Sequence, residues 1–95
     1  MTTLSTHVLD TAVGRPAAGI QVQLYHDGEL VIARETDRDG RISDLAEVDP
    51  GIYRLVFLPP SPFFRRVELE LELGEGHYHV PLLVSPFSCA SYRGS

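Results

Sequence analysis

Hydrophobic and polar positions alternate with a period of two along most of this chain. In "VELELEL", Val67, Leu69, Leu71 and Leu73 fall on one side and Glu68, Glu70 and Glu72 on the other. That spacing predicts a strand with one buried and one wetted face. "IQVQLYH" repeats the pattern with Ile20, Val22 and Leu24 inward. "GIYRLVFL" sets Ile52, Val56 and Leu58 against Tyr53, Leu55 and Phe57, and predicts a more fully buried strand. Turn signals punctuate these runs. Gly14-Arg15-Pro16 ends the first strand, and Asp27-Gly28 and Asp39-Gly40 each predict a two-residue hairpin turn. Pro59-Pro60-Ser61-Pro62 forbids regular structure and marks a crossover. No segment carries a helical period. The expectation is an all-β, two-sheet antiparallel β-sandwich with little or no helix, in one domain spanning residues 1–95.

The alternation also sorts the polar candidates by face. In "LSTHVLD", Leu4, Thr6 and Val8 share one face and Ser5, His7 and Leu9 the other. In "HYHVPLLVS", Tyr78, Val80, Leu82 and Val84 suit the core, leaving His77, His79, Pro81, Leu83 and Ser85 opposite. If these strands are neighbours, His7 and His79 share a partly apolar outer face, which suggests an interface or a pocket. Each histidine taken alone reads more simply as a surface strand residue. His77 and His79 have metal-ligand spacing but no third ligand in sight, so no metal is expected. Cys89 has no activating neighbour and reads as an inert, partly buried thiol. Neither a nucleophile elbow nor a phosphate loop is present.

The bulk properties narrow the partners. The 95 residues include 8 basic and 13 acidic side chains, a net charge of −5. With no dominant basic patch, nucleic acid and anionic membranes are not expected partners. A single cysteine precludes an internal disulfide and suits a reducing compartment. Met1–Asp10 lacks the pattern of a signal peptide, so a cytoplasmic setting is expected.

Up to Leu58 the chain resembles sandwich modules of the carboxypeptidase-regulatory and surface-adhesion type. Four stretches change that reading: "STHVLD", "DGR", "HYHVPLLVSP" and "YRGS". Together they resemble the 5-hydroxyisourate hydrolase family, the transthyretin-related enzymes of urate breakdown, from Leu4 to Ser95. The resemblance implies a transthyretin-type sandwich that opens the ring of an oxidised purine by hydrolysis. It implies catalytic roles for His7, Arg41, His79 and Ser95, with Tyr92, Arg93 and Gly94 binding substrate. A neutral imidazole can take a proton from water at neutral pH, and a guanidinium can hold substrate oxygens. The resemblance further implies no metal or organic cofactor, and a homotetramer whose channel is lined by the outer face. Two departures from the family pattern stand out. Cys89-Ala90-Ser91 replaces Tyr-Ser-Thr, and "LPPSPFFRR" fills a segment where members carry a short helix. The alternatives are a noncatalytic carrier of a small ligand in the same channel and a purely structural sandwich module.

Overall fold

The computed structural model describes residues 1–95 and contains strands and turns only. Ten strands form in chain order: β1 (Thr2–Asp10), β2 (Arg15–Pro16), β3 (Gln21–His26), β4 (Glu29–Glu35), β5 (Arg41–Val48), β6 (Gly51–Phe57), β7 (Val67–Leu73), β8 (Gly76–His79), β9 (Leu82–Ser85) and β10 (Ser88–Ser91). They build two sheets, as the periodicity predicts. One runs in the order β4-β3-β6-β7 and is antiparallel throughout. The other is built around β1, with β5 and β2 antiparallel along one edge. Along its other edge, β8 and β9 pair parallel to β1, and β10 pairs antiparallel to β9. The sandwich is therefore antiparallel apart from this one parallel seam.

The inward faces interlock into one core. Leu4 and Val8 of β1 and Leu82 and Val84 of β9 meet Val22, Leu24, Leu55 and Phe57 of the opposite sheet, all essentially removed from water. Burial of this kind is the main term holding two sheets together. Along β7, Leu73 is buried and Val67, Leu69 and Leu71 pack against the core, as the alternation requires. β6 is less enclosed than its composition suggests. Tyr53, Leu55, Val56 and Phe57 are buried, but Ile52 is 56% exposed on the outer face, beside Glu72.

Several local expectations change in the fold. Asp27 and Gly28 both have positive φ, 50° and 80°, and close the β3–β4 hairpin as predicted. Asp39-Gly40 does not make a second such hairpin. Only Gly40 has positive φ, and β4 and β5 belong to different sheets. The glycine is needed there because a Cβ would lie 2.5 Å from the Val8 carbonyl oxygen. Arg15-Pro16 does not merely end the first strand; it folds back on Leu9 and Asp10 as β2. The proline-rich stretch is irregular, yet it joins β6 to its own sheet neighbour β7 and is no crossover.

"HYHVPLLVS" divides into β8 and β9 because Pro81 has no N–H to give to the ladder. The register against β1 is nonetheless continuous across the break, from Ser5 beside His79 to Val8 beside Leu82. Two hydrogen bonds hold the break in place. Thr6 Oγ1 donates to the Val80 carbonyl at 2.6 Å, and Val80 N–H donates to the Ser5 carbonyl at 3.0 Å.

Gly40 thus fixes where β5 begins, and Arg41 is its first residue. Gly40→Ala is expected to lower stability by about 1–3 kcal/mol, from left-handed backbone strain and the clash with β1. Urea unfolding of the two proteins measures the difference; an unchanged midpoint would contradict this reading of the turn.

Candidate active site

The outer face of the β1 sheet gathers most of the sequence candidates. On β1, Thr3, Ser5, His7 and Leu9 point outward, alternating with the buried Thr2, Leu4, Thr6 and Val8. Arg41 of β5 lies directly across from His7 in the antiparallel ladder. On the other side, Ser5 lies beside His79, and continuous register brings Pro81 alongside His7. The central strand thus sets His7 directly across from Arg41, with His79 one outward position away on the other edge, beside Ser5.

Arg41 is positioned by its backbone. Asp37 Oδ1 accepts hydrogen bonds from the N–H groups of Asp39 and Arg41, at 2.9 and 3.0 Å, and Asp37 N–H donates to the Arg41 carbonyl. The bond from Arg41 holds the Asp37 carboxyl below its ordinary pKa. The ion pairs of the chain involve Met1, His26, Arg54 and Arg66. The Arg41 guanidinium makes no close ion pair of its own; the nearest carboxylate influence on it is that of Asp37, whose charge it helps to stabilise.

The histidines differ in their surroundings. His79 Nδ1 lies 2.8 Å from Ser5 Oγ, and the same hydroxyl lies 2.9 Å from His77 Nε2. Burial, followed by the charges of Arg41, His7 and His77, lowers the pKa of His79 from its ordinary 6.5. His79 is therefore kept as a neutral imidazole. His7 is half-buried, and its Nε2 is shielded from solvent without any hydrogen-bond partner. Such an orphan costs about 1–3 kcal/mol unless a further group satisfies it. Cys89 lies in β10 away from these groups, and burial pushes its thiol pKa up, as an inert thiol requires.

The segment Tyr92–Ser95 is ordered by the sheet. β10 pairs with β9, and the same antiparallel register carries on to a bridge between Gly94 and His79. Gly94 N–H donates to the His79 carbonyl at 2.7 Å. A Cβ at Gly94 would come within 2.6 Å of the His79 ring, so only glycine leaves the imidazole its place. Strand alternation then directs Arg93 to the opposite side. Its guanidinium stacks 4.1 Å above the Tyr78 ring, and Nη2 is 3.4 Å from the His77 carbonyl. Among the sequence candidates, His7, Arg41, His79 and Gly94 meet on one face. Tyr92 and Ser95 are exposed, Tyr92 lining a cavity along β7 with Tyr78, Val80 and Arg93, and Arg93 anchors the segment from behind. The sequence reading passed over Ser5, Thr3 and Asp37. The signal for Ser5 was present: it stands two residues before His7 on the same strand face.

Fold and face define a two-sheet sandwich bearing a histidine–arginine cluster on the outside of one sheet. Residues 4–94 match the model of the HIUase/Transthyretin family, and the chain belongs to that family. It is 40% identical to the 5-hydroxyisourate hydrolase of Pseudomonas aeruginosa, over 97% of this chain and 90% of that protein. The structure of Klebsiella pneumoniae 5-hydroxyisourate hydrolase superposes with a TM-score of 0.91 at 36% identity, covering 100% of both chains. Sea bream transthyretin in complex with thyroxine matches at TM-score 0.85 and 27% identity, over 97% of this chain and 94% of that one. The alignment with the Pseudomonas protein runs over 114 positions against a chain of 95 residues, so that relative carries segments absent here.

The lowered pKa of His79 has a consequence for stability. Between the folded value and 6.5, the unfolded chain binds more protons than the folded one. Stability is therefore expected to be full above 6.5 and to fall as the pH drops through that window. Thermal unfolding across pH 5 to 8 should show this slope, and His79→Gln should flatten it.

Proposed function

We propose that this chain is a hydrolase that opens the ring of 5-hydroxyisourate, with His79 as the base, Arg41 as the substrate anchor and His7 as the second proton-transfer group. The observation that carries this reading is the juxtaposition of His7, Arg41 and a neutral-kept His79 on one strand face. Curated relatives named 5-hydroxyisourate hydrolase support it. Hydrolysis of a cyclic amide-type bond needs a base for water, a donor for the carbonyl oxygen and an acid for the leaving nitrogen. His79 stays unprotonated near neutral pH and can take the water proton. The Arg41 guanidinium, which makes no close ion pair, can hold substrate oxygens and stabilise negative charge as water adds. His7, directly across from Arg41, is assigned the second proton transfer. Gly94 packs against the His79 ring, and the hydroxyls of the exposed Tyr92 and Ser95 are proposed to meet the substrate. No helix is long and apolar enough to cross a membrane, and a cytoplasmic setting accords with the lone cysteine.

A carrier of a small apolar ligand would share the sandwich. It would have no use for an imidazole whose protonation burial and Arg41 suppress, and the hydrolase reading is preferred on that ground.

The direct test is the decay of freshly generated 5-hydroxyisourate followed by absorbance. His7→Ala and His79→Ala should each slow turnover by about two to four orders of magnitude while remaining folded. Near-wild-type turnover in either variant would remove that histidine from the mechanism.

The active form is proposed to be a homotetramer whose central channel is lined by this outer face. Leu9 and Leu83 stand half-buried in its apolar part, side by side in the parallel seam. A second copy stacked there would cover them and exclude water around Arg41 and the histidines, strengthening the hydrogen bonds on which the chemistry depends. Leu83→Glu is expected to split the tetramer into dimers and remove activity without altering a catalytic group. Light scattering alongside the decay assay decides this; a fully active dimer or monomer would end the channel argument.

A further inference from the structure

We propose that Ser5 and His77 form a proton relay behind His79, an inference that rests on the hydrolase reading above and deepens it. Thr3 Oγ1 lies 2.7 Å from His77 Nδ1, His77 Nε2 lies 2.9 Å from Ser5 Oγ, and Ser5 Oγ lies 2.8 Å from His79 Nδ1. Ser5 is only 9% exposed, so these rings are its principal partners. A hydroxyl has one hydrogen. Ser5 therefore donates to one ring and accepts from the other, and the two imidazoles are locked into complementary states.

In one state His79 carries its hydrogen on Nδ1 and gives it to Ser5 Oγ. Ser5 donates to Nε2 of His77, and His77 donates from Nδ1 to Thr3. Nε2 of His79 then holds a free electron pair, as a base requires. When Nε2 takes a proton from water, the Nδ1 hydrogen moves to Ser5 Oγ as the original hydroxyl hydrogen moves to His77 Nε2. Only N–H and O–H bonds form and break, and the proton count is unchanged. His79 is left neutral with its hydrogen on Nε2, and the positive charge resides on His77. The reverse transfer returns a proton to His79 Nδ1 as Nε2 protonates the leaving nitrogen.

The charges around the two rings favour this division. Burial, Arg41 and His7 all oppose a positive charge on His79. His77 is exposed and borders a surface cavity of about 450 Å³ that also contains Asp44, Glu47 and Arg34. Water therefore reaches the His77 ring more freely than the partly buried His79, with Arg34 and Arg93 as the neighbouring cations and Asp44 and Glu47 as the neighbouring carboxylates. His77 is a positioning and relay residue, one hydroxyl removed from the base.

The test combines ring-nitrogen NMR titration of the substrate-free protein with pH–rate profiles for wild type, Ser5→Ala, Ser5→Thr and His77→Gln. In the wild type, His77 and His79 should titrate as one coupled unit, and Ser5→Ala should separate them. Ser5→Ala and His77→Gln should lower kcat about 10- to 100-fold with KM little changed, while Ser5→Thr regains most of the rate. The acid limb should move to lower pH in Ser5→Ala, because an isolated His79 must then hold the charge itself. Wild-type kcat in His77→Gln, or independent titration of the two rings in the wild type, overturns the relay. Should the wild type fail to hydrolyse 5-hydroxyisourate, the hydrolase reading falls, and the ring titration still decides whether the two rings share a proton.

Discussion

Strand β1 hydrogen-bonds along both edges, and everything else in the molecule is arranged around that fact. Its partners are β5 and β2 on one side and β8 and β9 on the other. A strand so enclosed cannot slip by one residue without turning Leu4 and Val8 outward and His7 into the core. The core and the reactive face are therefore set by a single register. The same hydrogen bonds that bury Thr6 against Val80 hold Ser5 beside His79. Stability and chemistry occupy alternate residues of one strand.

The fold was legible in the sequence where one face was apolar and the other charged, as in β7, or where a turn demanded positive φ at two successive residues, as at Asp27-Gly28. It was misread where a residue's role depended on a distant contact. Asp39-Gly40 has the composition of a hairpin turn, but its glycine answers to the Val8 carbonyl of another strand. Ile52 is apolar and still exposed, because the outer face of its sheet has nothing packed over it within the chain. The parallel pairing of β1 with β8 and β9 joins segments more than seventy residues apart. Local periodicity carries no information about such pairing.

For the candidate site, face alternation was enough to group His7 with His79, and family resemblance added Arg41 and Tyr92–Ser95. Neither route ranked those residues by position. The structure turns Arg93 toward Tyr78 and gives Gly94 a purely spatial task, leaving room for an imidazole. It also brings forward Ser5, the first residue of "STHVLD", to which the family resemblance assigns no role. Its importance comes from standing between two rings, and the sequence separation from Ser5 to His79 is 74 residues.

That separation bears on how the protein is made. β1 leaves the ribosome well before β8 and β9, so the edge that receives them has no partner until residues beyond Gly76 have been synthesised. During that interval a run of alternating apolar side chains and unpaired backbone groups is open to neighbouring nascent chains. Four β1 side chains are hydroxyls whose partners lie in the late segment: Thr2, Thr3, Ser5 and Thr6, which meet Gly74, His77, His79 and Val80. Until those partners arrive, water can satisfy the same groups. The strand that carries the chemistry is thereby also less adhesive while it waits.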